Sequence, residues 1–254
     1  MGRSAGACAP SVSVERGRLR CGARLPQAVF FDLDNTLVHR NASIDLYARR
    51  FWRDFGHVMA GGGADDAAAV IKRFDNGGYL PAGSPFASIK QAVSHGLQTE
   101  LAWRRAPEHE TLLAHWERYN AVCTAAMPGA AQAVAWLLSV GARIGVVSNG
   151  SHRTRLEKVA QLPFAAAIEL TISSESAEVK KPDPAIFLMA ADAMGVRPQD
   201  CWYVGDHPLN DAQGAMRAGM HPVWLQGFHP WPEDMPAACC AIPALEALAG
   251  LADA

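Results

Sequence analysis

The stretch VFFDLDNTLV, Val29 to Val38, closes an apolar run with two acids one residue apart and follows them with a hydroxyl. Ala28 to Phe31 reads as a strand, and in an extended chain residues i and i+2 face the same side. Asp32 and Asp34 are therefore expected to converge on one point just past that strand. Like charges so placed repel, so they need a reason. A pair of this kind can cap the next helix or meet surface arginines, or it can belong to a site.

Outward from there, short apolar runs alternate with longer amphipathic stretches, the pattern of a parallel sheet covered by helices. Arg143 to Val147, Ala167 to Ile172 and Cys201 to Val204 read as further strands, and Pro222 to Leu225 as a weaker one. Helices are expected over Pro128 to Val140, His152 to Gln161, Pro184 to Met194 and Asn210 to Ala218, with Gly141, Gly195 and Gly219 as stops. The span from Arg40 to Met127 shows no strand. Phe51, Phe55, Val58 and Met59 recur there at helical spacing, as do Leu112, Trp116 and Tyr119, so it reads as a helical insert. Gly61-Gly62-Gly63 follows no strand and matches no phosphate-cradling pattern, which leaves it a loop.

Polar residues stand at the carboxyl ends of the strands, where open parallel sheets place their ligands. The second strand ends in Val147-Ser148-Asn149-Gly150, the segment after the third contains Lys180-Lys181-Pro182-Asp183-Pro184, and the fourth ends in Gly205-Asp206-His207-Pro208-Leu209-Asn210-Asp211.

D-x-D-x-T, S-N-G, K-P-D-P and G-D-x-x-x-N-D in this order resemble the haloacid dehalogenase superfamily over about Val29 to Leu225. The resemblance implies an α/β fold with a Rossmann-like parallel sheet core, helices on both faces and a helical cap of the cap-one branch inserted after the first strand. The core would be residues 27–39 and 127–254, and the cap residues 40–126. It implies Asp32 as nucleophile and Asp34 as general acid and base. Thr36, Ser148 and Asn149 would contact the phosphate, and Lys181 would neutralise charge beside Asp32. Mg²⁺ would be held by Asp32, Asp206 and the Asp34 backbone carbonyl, with Asp211 in support.

The chemistry asks for these residue types. A phosphoryl group is anionic, so an anionic nucleophile approaches it only where a metal ion and a positive side chain cancel the repulsion. Mg²⁺ prefers carboxylate and carbonyl oxygens. The leaving oxygen needs a proton, which a carboxyl group beside another acid is better placed to carry. The expected activity is Mg²⁺-dependent hydrolysis of a small phosphorylated metabolite through an aspartyl-phosphate intermediate. A dehalogenase of the same superfamily resembles D-x-Y rather than D-x-D at the first motif. It stands as an alternative, together with a phosphomutase and a non-catalytic phosphate acceptor.

Several residues carry a second reading. Ser148 and Ser151 are also typical helix caps, and free amides near Asn149 and Gly150 would offer a phosphate site at a helix start. Asp211 fits a first-turn acid, Asn35 a turn residue, and His207 a solvated loop residue. Arg40, Arg49, Lys72, Arg73 and Lys90 of the insert are candidate anion contacts or solvated helix charges.

Among the 254 residues 50% are apolar and 19% charged, ordinary for a globular protein, and the formal net charge of -2 favours neither nucleic acid nor a membrane surface as partner. Cys8, Cys21, Cys123, Cys201, Cys239 and Cys240 include no C-x-x-C pair, which suggests reduced thiols and a cytoplasmic setting. Residues 1–26 hold five arginines against one acid, Glu15, and no apolar core of a secretory signal; they are expected to form a poorly ordered tail. A monomer or a homodimer is expected.

Overall fold

The computed structural model describes residues 24–236 and 240–251. Most of the expected tail, with Cys8, Cys21 and Cys239, lies outside them. Strands β1 (Ala28–Phe31), β2 (Arg143–Ser148), β3 (Ile168–Ser173), β4 (Cys201–Gly205), β5 (His221–Leu225) and β6 (Ala241–Ile242) form one parallel sheet in the order β3-β2-β1-β4-β5-β6. Phe31 of β1 is level with Val146 of β2 on one side and Val204 of β4 on the other. The chain fills one side of β1 before crossing to the other, so the crevice at the carboxyl ends of β1, β2 and β4 is where ligands of such sheets gather.

Strand alternation sets the layers. Val29 and Phe31 face a core with Val134 and Leu137 of α5 (Ala130–Ser139) and with Leu245 and Leu248 of the turn Leu245–Leu251. Ala28 and Phe30 face the opposite core with Ile186 and Phe187 of α8 (Pro184–Ala193). Both faces are covered, which is why β1 is apolar throughout and not alternating. Burying each phenylalanine contributes about 1.5–3 kcal/mol.

Four helices stand between β1 and α5: α1 (Arg40–Phe55), α2 (Ala64–Asp75), α3 (Ile89–Glu100) and α4 (His109–Tyr119). They close on a third core that includes Tyr47, Phe51, Ile71, Leu97 and Leu112. The His39 ring accepts from the Ala42 amide to start α1, and the Ser88 hydroxyl accepts from Gln91 to start α3. Asn76, at φ 46°, turns the chain out of α2 and towards the crevice.

Two elements differ from the sequence reading. Ala165–Ala167 is a short 3₁₀ turn, so β3 starts at Ile168. The segment expected as one helix from Asn210 opens with a π-helical turn, Pro208–Gln213, before α9 (Gly214–Arg217). Among the described residues no helix is long and apolar enough to cross a membrane.

Candidate active site

The ends of β1 and β4 and the segments that follow β3 and β4 meet at Lys181. Its ammonium lies 2.6 Å from Asp32 Oδ1, 2.6 Å from Asp211 Oδ1 and 2.8 Å from the Tyr203 hydroxyl, so all three of its protons are used. Tyr203 in turn donates to the Val147 carbonyl at 2.7 Å. Lys181 is held from behind as well: its amide donates to Asn149 Oδ1 at 2.9 Å, and Asn149 Nδ2 donates to its carbonyl at 3.0 Å. This reciprocal pair ties the segment after β3 to the end of β2.

Asp206 completes the group. The oxygens of Asp32, Asp206 and Asp211 lie within 4.8 Å of one another, all three residues being buried. Three carboxylates thus cluster beside one ammonium, which pairs with Asp32 and Asp211. Burial first, then repulsion from Asp32 and Asp211, pushes the Asp206 carboxyl up to about 8; burial raises Asp211 to about 6 despite Lys181. Such a cluster is short of positive charge. Two ligands on one Mg²⁺ stand at most about 4.2 Å apart, so a small inward shift would let these carboxylates share the ion. The donors present fit Mg²⁺ in number, charge and chemistry. Asp211 is a member of this cluster itself, where the sequence reading had it behind Asp206.

Gly205 makes the approach of Asp211 feasible. A Cβ there would fall 2.4 Å from Asp211 Cγ, so any side chain at this position would displace the carboxylate. The His207 amide donates to Asp211 Oδ2 at 2.9 Å, and the His207 ring accepts from the amides of Leu209 and Asn210. With Asp211 pinned by Lys181 and by the His207 amide, this turn takes the wider π form, a feature frequent at functional sites.

Asp34 departs from the expectation. β1 ends at Phe31, and the amides of Leu37 and Val38 both turn back to the Leu33 carbonyl, so the i, i+2 rule no longer holds there. The Asp34 carboxylate leaves the carboxylate cluster and meets three cations: Lys158 at 2.5 Å, Arg40 at 3.1 Å and Arg155 at 3.3 Å. Burial alone would raise its pKa, but Lys158, Arg40 and Arg155 more than offset this and hold the carboxyl far below the usual range. Burial in turn lowers Lys158 to about 8 despite the pull of Asp34.

Thr36 and Asn149, two of the expected phosphate contacts, have side-chain partners within the protein. Thr36 is fully buried, and its hydroxyl donates to Asp206 Oδ1 at 3.5 Å, so that side chain sits behind the site. The Asn149 amide is engaged with Lys181. Of the amides expected near Asn149 and Gly150, that of Gly150 donates to the hydroxyl of Ser174 in α7 (Ser174–Ala177) at 2.9 Å; at the start of α6 (His152–Val159) the His152 amide donates to Glu175 at 2.8 Å. Ser148 lines the pocket and Ser151 makes no side-chain cap. Asn35, at φ 62°, occupies the turn.

The pocket over Asp32 is about 110 Å³. Its rim holds residues that sequence reasoning missed or set aside. Tyr79, from the segment after α2, accepts from Asn210 Nδ2 at 3.2 Å and packs against His207 and His229. His229 Nε2 lies 3.5 Å from Asp206 Oδ2. Arg155 and Lys158 are three residues apart in sequence, a helix-face spacing that could have drawn attention to them.

The chain is 31% identical over 204 residues to the phosphoglycolate phosphatase of Cereibacter sphaeroides, covering 79% of this chain and 85% of that protein. It is 28% identical over 207 residues to that of Pseudomonas putida, 79% and 70% covered. With the glyceraldehyde 3-phosphate phosphatase of Pyrococcus abyssi it shares 35% identity over 100 residues, 39% of this chain but only 42% of that protein. The fold is similar to that of YfnB from Bacillus subtilis bound to magnesium, with a TM-score of 0.68 at 17% identity over 91% of this chain and all of that one. It is also similar to L-2-haloacid dehalogenase from Xanthobacter autotrophicus, with a TM-score of 0.63 at 19% identity over 90% and 98%. Residues 26–219 match the haloacid dehalogenase-like hydrolase family, and the chain belongs to it.

Proposed function

We propose that the protein is a Mg²⁺-dependent phosphatase that hydrolyses a small phosphorylated metabolite through an aspartyl-phosphate on Asp32. The observation that carries this reading is the charge of the buried cluster: Asp32 and Asp211 pair with the single ammonium of Lys181, and Asp206 lies against them with no ammonium of its own. Buried carboxylates in such excess are stable only if protonated or if a cation joins them. Asp32, Asp206 and Asp211 would hold Mg²⁺, which would neutralise charge on the phosphoryl oxygens.

The protein's own groups then divide the work. Lys181 orients Asp32 Oδ1 and lowers its repulsion towards a phosphoryl group, leaving the other carboxylate oxygen to attack phosphorus as the ester oxygen departs. Asp34 would take a proton from the water that opens the aspartyl-phosphate once Lys158, Arg40 and Arg155 are drawn away from it, since their charges otherwise keep it a weak base. For it to give a proton to the departing oxygen in the first step, the substrate must draw its cations away. The segment Asn76–Tyr79 over the pocket would limit access of bulk water.

The test is release of p-nitrophenol from p-nitrophenyl phosphate. Wild-type protein should turn over with Mg²⁺ and stop with EDTA, and Asp32→Asn should be inactive with its fold retained. Turnover by Asp32→Asn near the wild-type rate would remove Asp32 from the reaction.

A further inference from the structure

The same charge reckoning applied one step further out gives the opposite sign. Arg40, Arg155 and Lys158 converge on the one Asp34 carboxylate, and Asp75 takes the other edge of Arg40 through bonds of 2.7 and 2.6 Å. Three cations therefore share two carboxylates. Their side chains are only 16%, 14% and 8% exposed, so the imbalance is not quenched by solvent as it is for Lys72 and Arg73, which pair with Asp45 and Glu100 at the surface. The inner cluster lacks a cation; this outer one lacks an anion.

Space for that anion lies beside it. Arg40, Gly78 and Arg155 line both the pocket over Asp32, about 110 Å³, and a groove of about 420 Å³ that runs along α6 beneath α3 and α4. The larger volume is thus on the far side of the two arginines from the nucleophile. Lys158 and Lys90 also line the groove, and its acids Glu117 and Glu157 are already paired, with Lys90 at 2.5 Å and with Arg153 at 2.8 Å. Gly78, at φ 97°, lets the backbone pass the Arg40 guanidinium, where a Cβ would fall 3.1 Å from Cζ.

We propose that the substrate carries a second anionic group, a carboxylate or a phosphate, at the end remote from the reacting phosphoryl, and that this groove receives it at Arg155 and Lys158, with Lys90 at its outer edge. The proposal rests on the phosphatase reading and narrows it: the leaving group passes between Arg40 and Arg155, and its far charge completes the cation cluster.

The experiment compares butyl phosphate, 4-carboxybutyl phosphate and butane-1,4-diyl bisphosphate, with p-nitrophenyl phosphate as reference. At least one doubly anionic ester should exceed butyl phosphate in kcat/KM by about tenfold or more, the scale of one charge-assisted hydrogen bond. A higher value for the bisphosphate assigns the far group as phosphate, and a higher value for the carboxylate assigns it as carboxylate. Lys90→Gln should lower that advantage about threefold, read as the ratio of the doubly anionic ester to butyl phosphate, as fits a partly exposed charge. Arg155→Gln should abolish the advantage, read as a ratio between substrates whatever happens to the rate itself.

Equal turnover of all three esters by the wild type overturns the proposal and leaves the phosphatase reading standing. An equal loss on all three in Arg155→Gln also overturns it, because the cations would then serve the transferred phosphoryl group. No Mg²⁺-dependent release from any ester, p-nitrophenyl phosphate included, overturns the phosphatase reading and the proposal together.

Discussion

Mg²⁺ affinity should rise with pH, by an amount set by the buried carboxylates. Burial, followed by the charges of Asp32 and Asp211, puts the Asp206 carboxyl at about 8 in the metal-free protein, against 3.8 when it is free. At pH 6 only about one molecule in a hundred would then carry Asp206 ionised, and at pH 8 about half. A cation must displace that proton, so the apparent affinity should rise nearly tenfold per unit from pH 6 and flatten near pH 8, a total of about 50-fold. Asp206 and Asp211 belong to one cluster, so the proton is shared between them. Between about pH 4 and 8 the folded metal-free chain binds a proton that the unfolded chain has lost, so its stability falls as pH rises through that window. Calorimetric titration with Mg²⁺ at pH 6, 7 and 8, in buffers of different ionisation heat, would count the protons released. Between one and two per ion are expected at pH 6, nearly one from Asp206 and part of one from Asp211. Equal affinity at pH 6 and 8 with no buffer dependence would refute the reasoning.

Four substitutions probe the other contacts. Lys181→Met leaves three buried carboxylates without their ammonium and should cost about 3–5 kcal/mol in chelator, partly restored by Mg²⁺; urea unfolding with and without the ion measures this, and a loss below about 1 kcal/mol contradicts it. Asp34→Asn strands Lys158 between two arginines, so the double variant with Lys158→Met should be the more stable by about 1–3 kcal/mol, and additive losses in thermal unfolding would deny the coupling. Gly205→Ala should push Asp211 aside and weaken Mg²⁺ binding about tenfold or more, whereas unchanged affinity by titration would show that Asp211 is not needed there.

The sheet was legible because β1, β2 and β4 are apolar runs that end abruptly in polar residues, a signal that needs no knowledge of contacts. Asp32, Lys181, Asp206 and Asp211 were legible for the same reason: each sits in a short motif at or near a strand end. Asp34 was read in the right place but with the wrong neighbours, because strand geometry stops at Phe31 and a turn on Leu33 re-aims the side chain. Its partners Arg155 and Lys158 look like surface charges in a helix whose sequence is mostly polar, and only the packing of α1 and α6 beside Asp34 buries them. Tyr79 and His229 lie in irregular segments with no period to read. β6 is two residues long, too short for any alternation.

The most direct measurement is acid quenching of the protein during turnover of acetyl phosphate with Mg²⁺, followed by peptide mass spectrometry. The account predicts one added phosphoryl group on the peptide that contains Asp32, absent from Asp32→Asn and absent without Mg²⁺. A phosphoryl group found on another residue, or sustained turnover with none on Asp32 at any quench time, would contradict it.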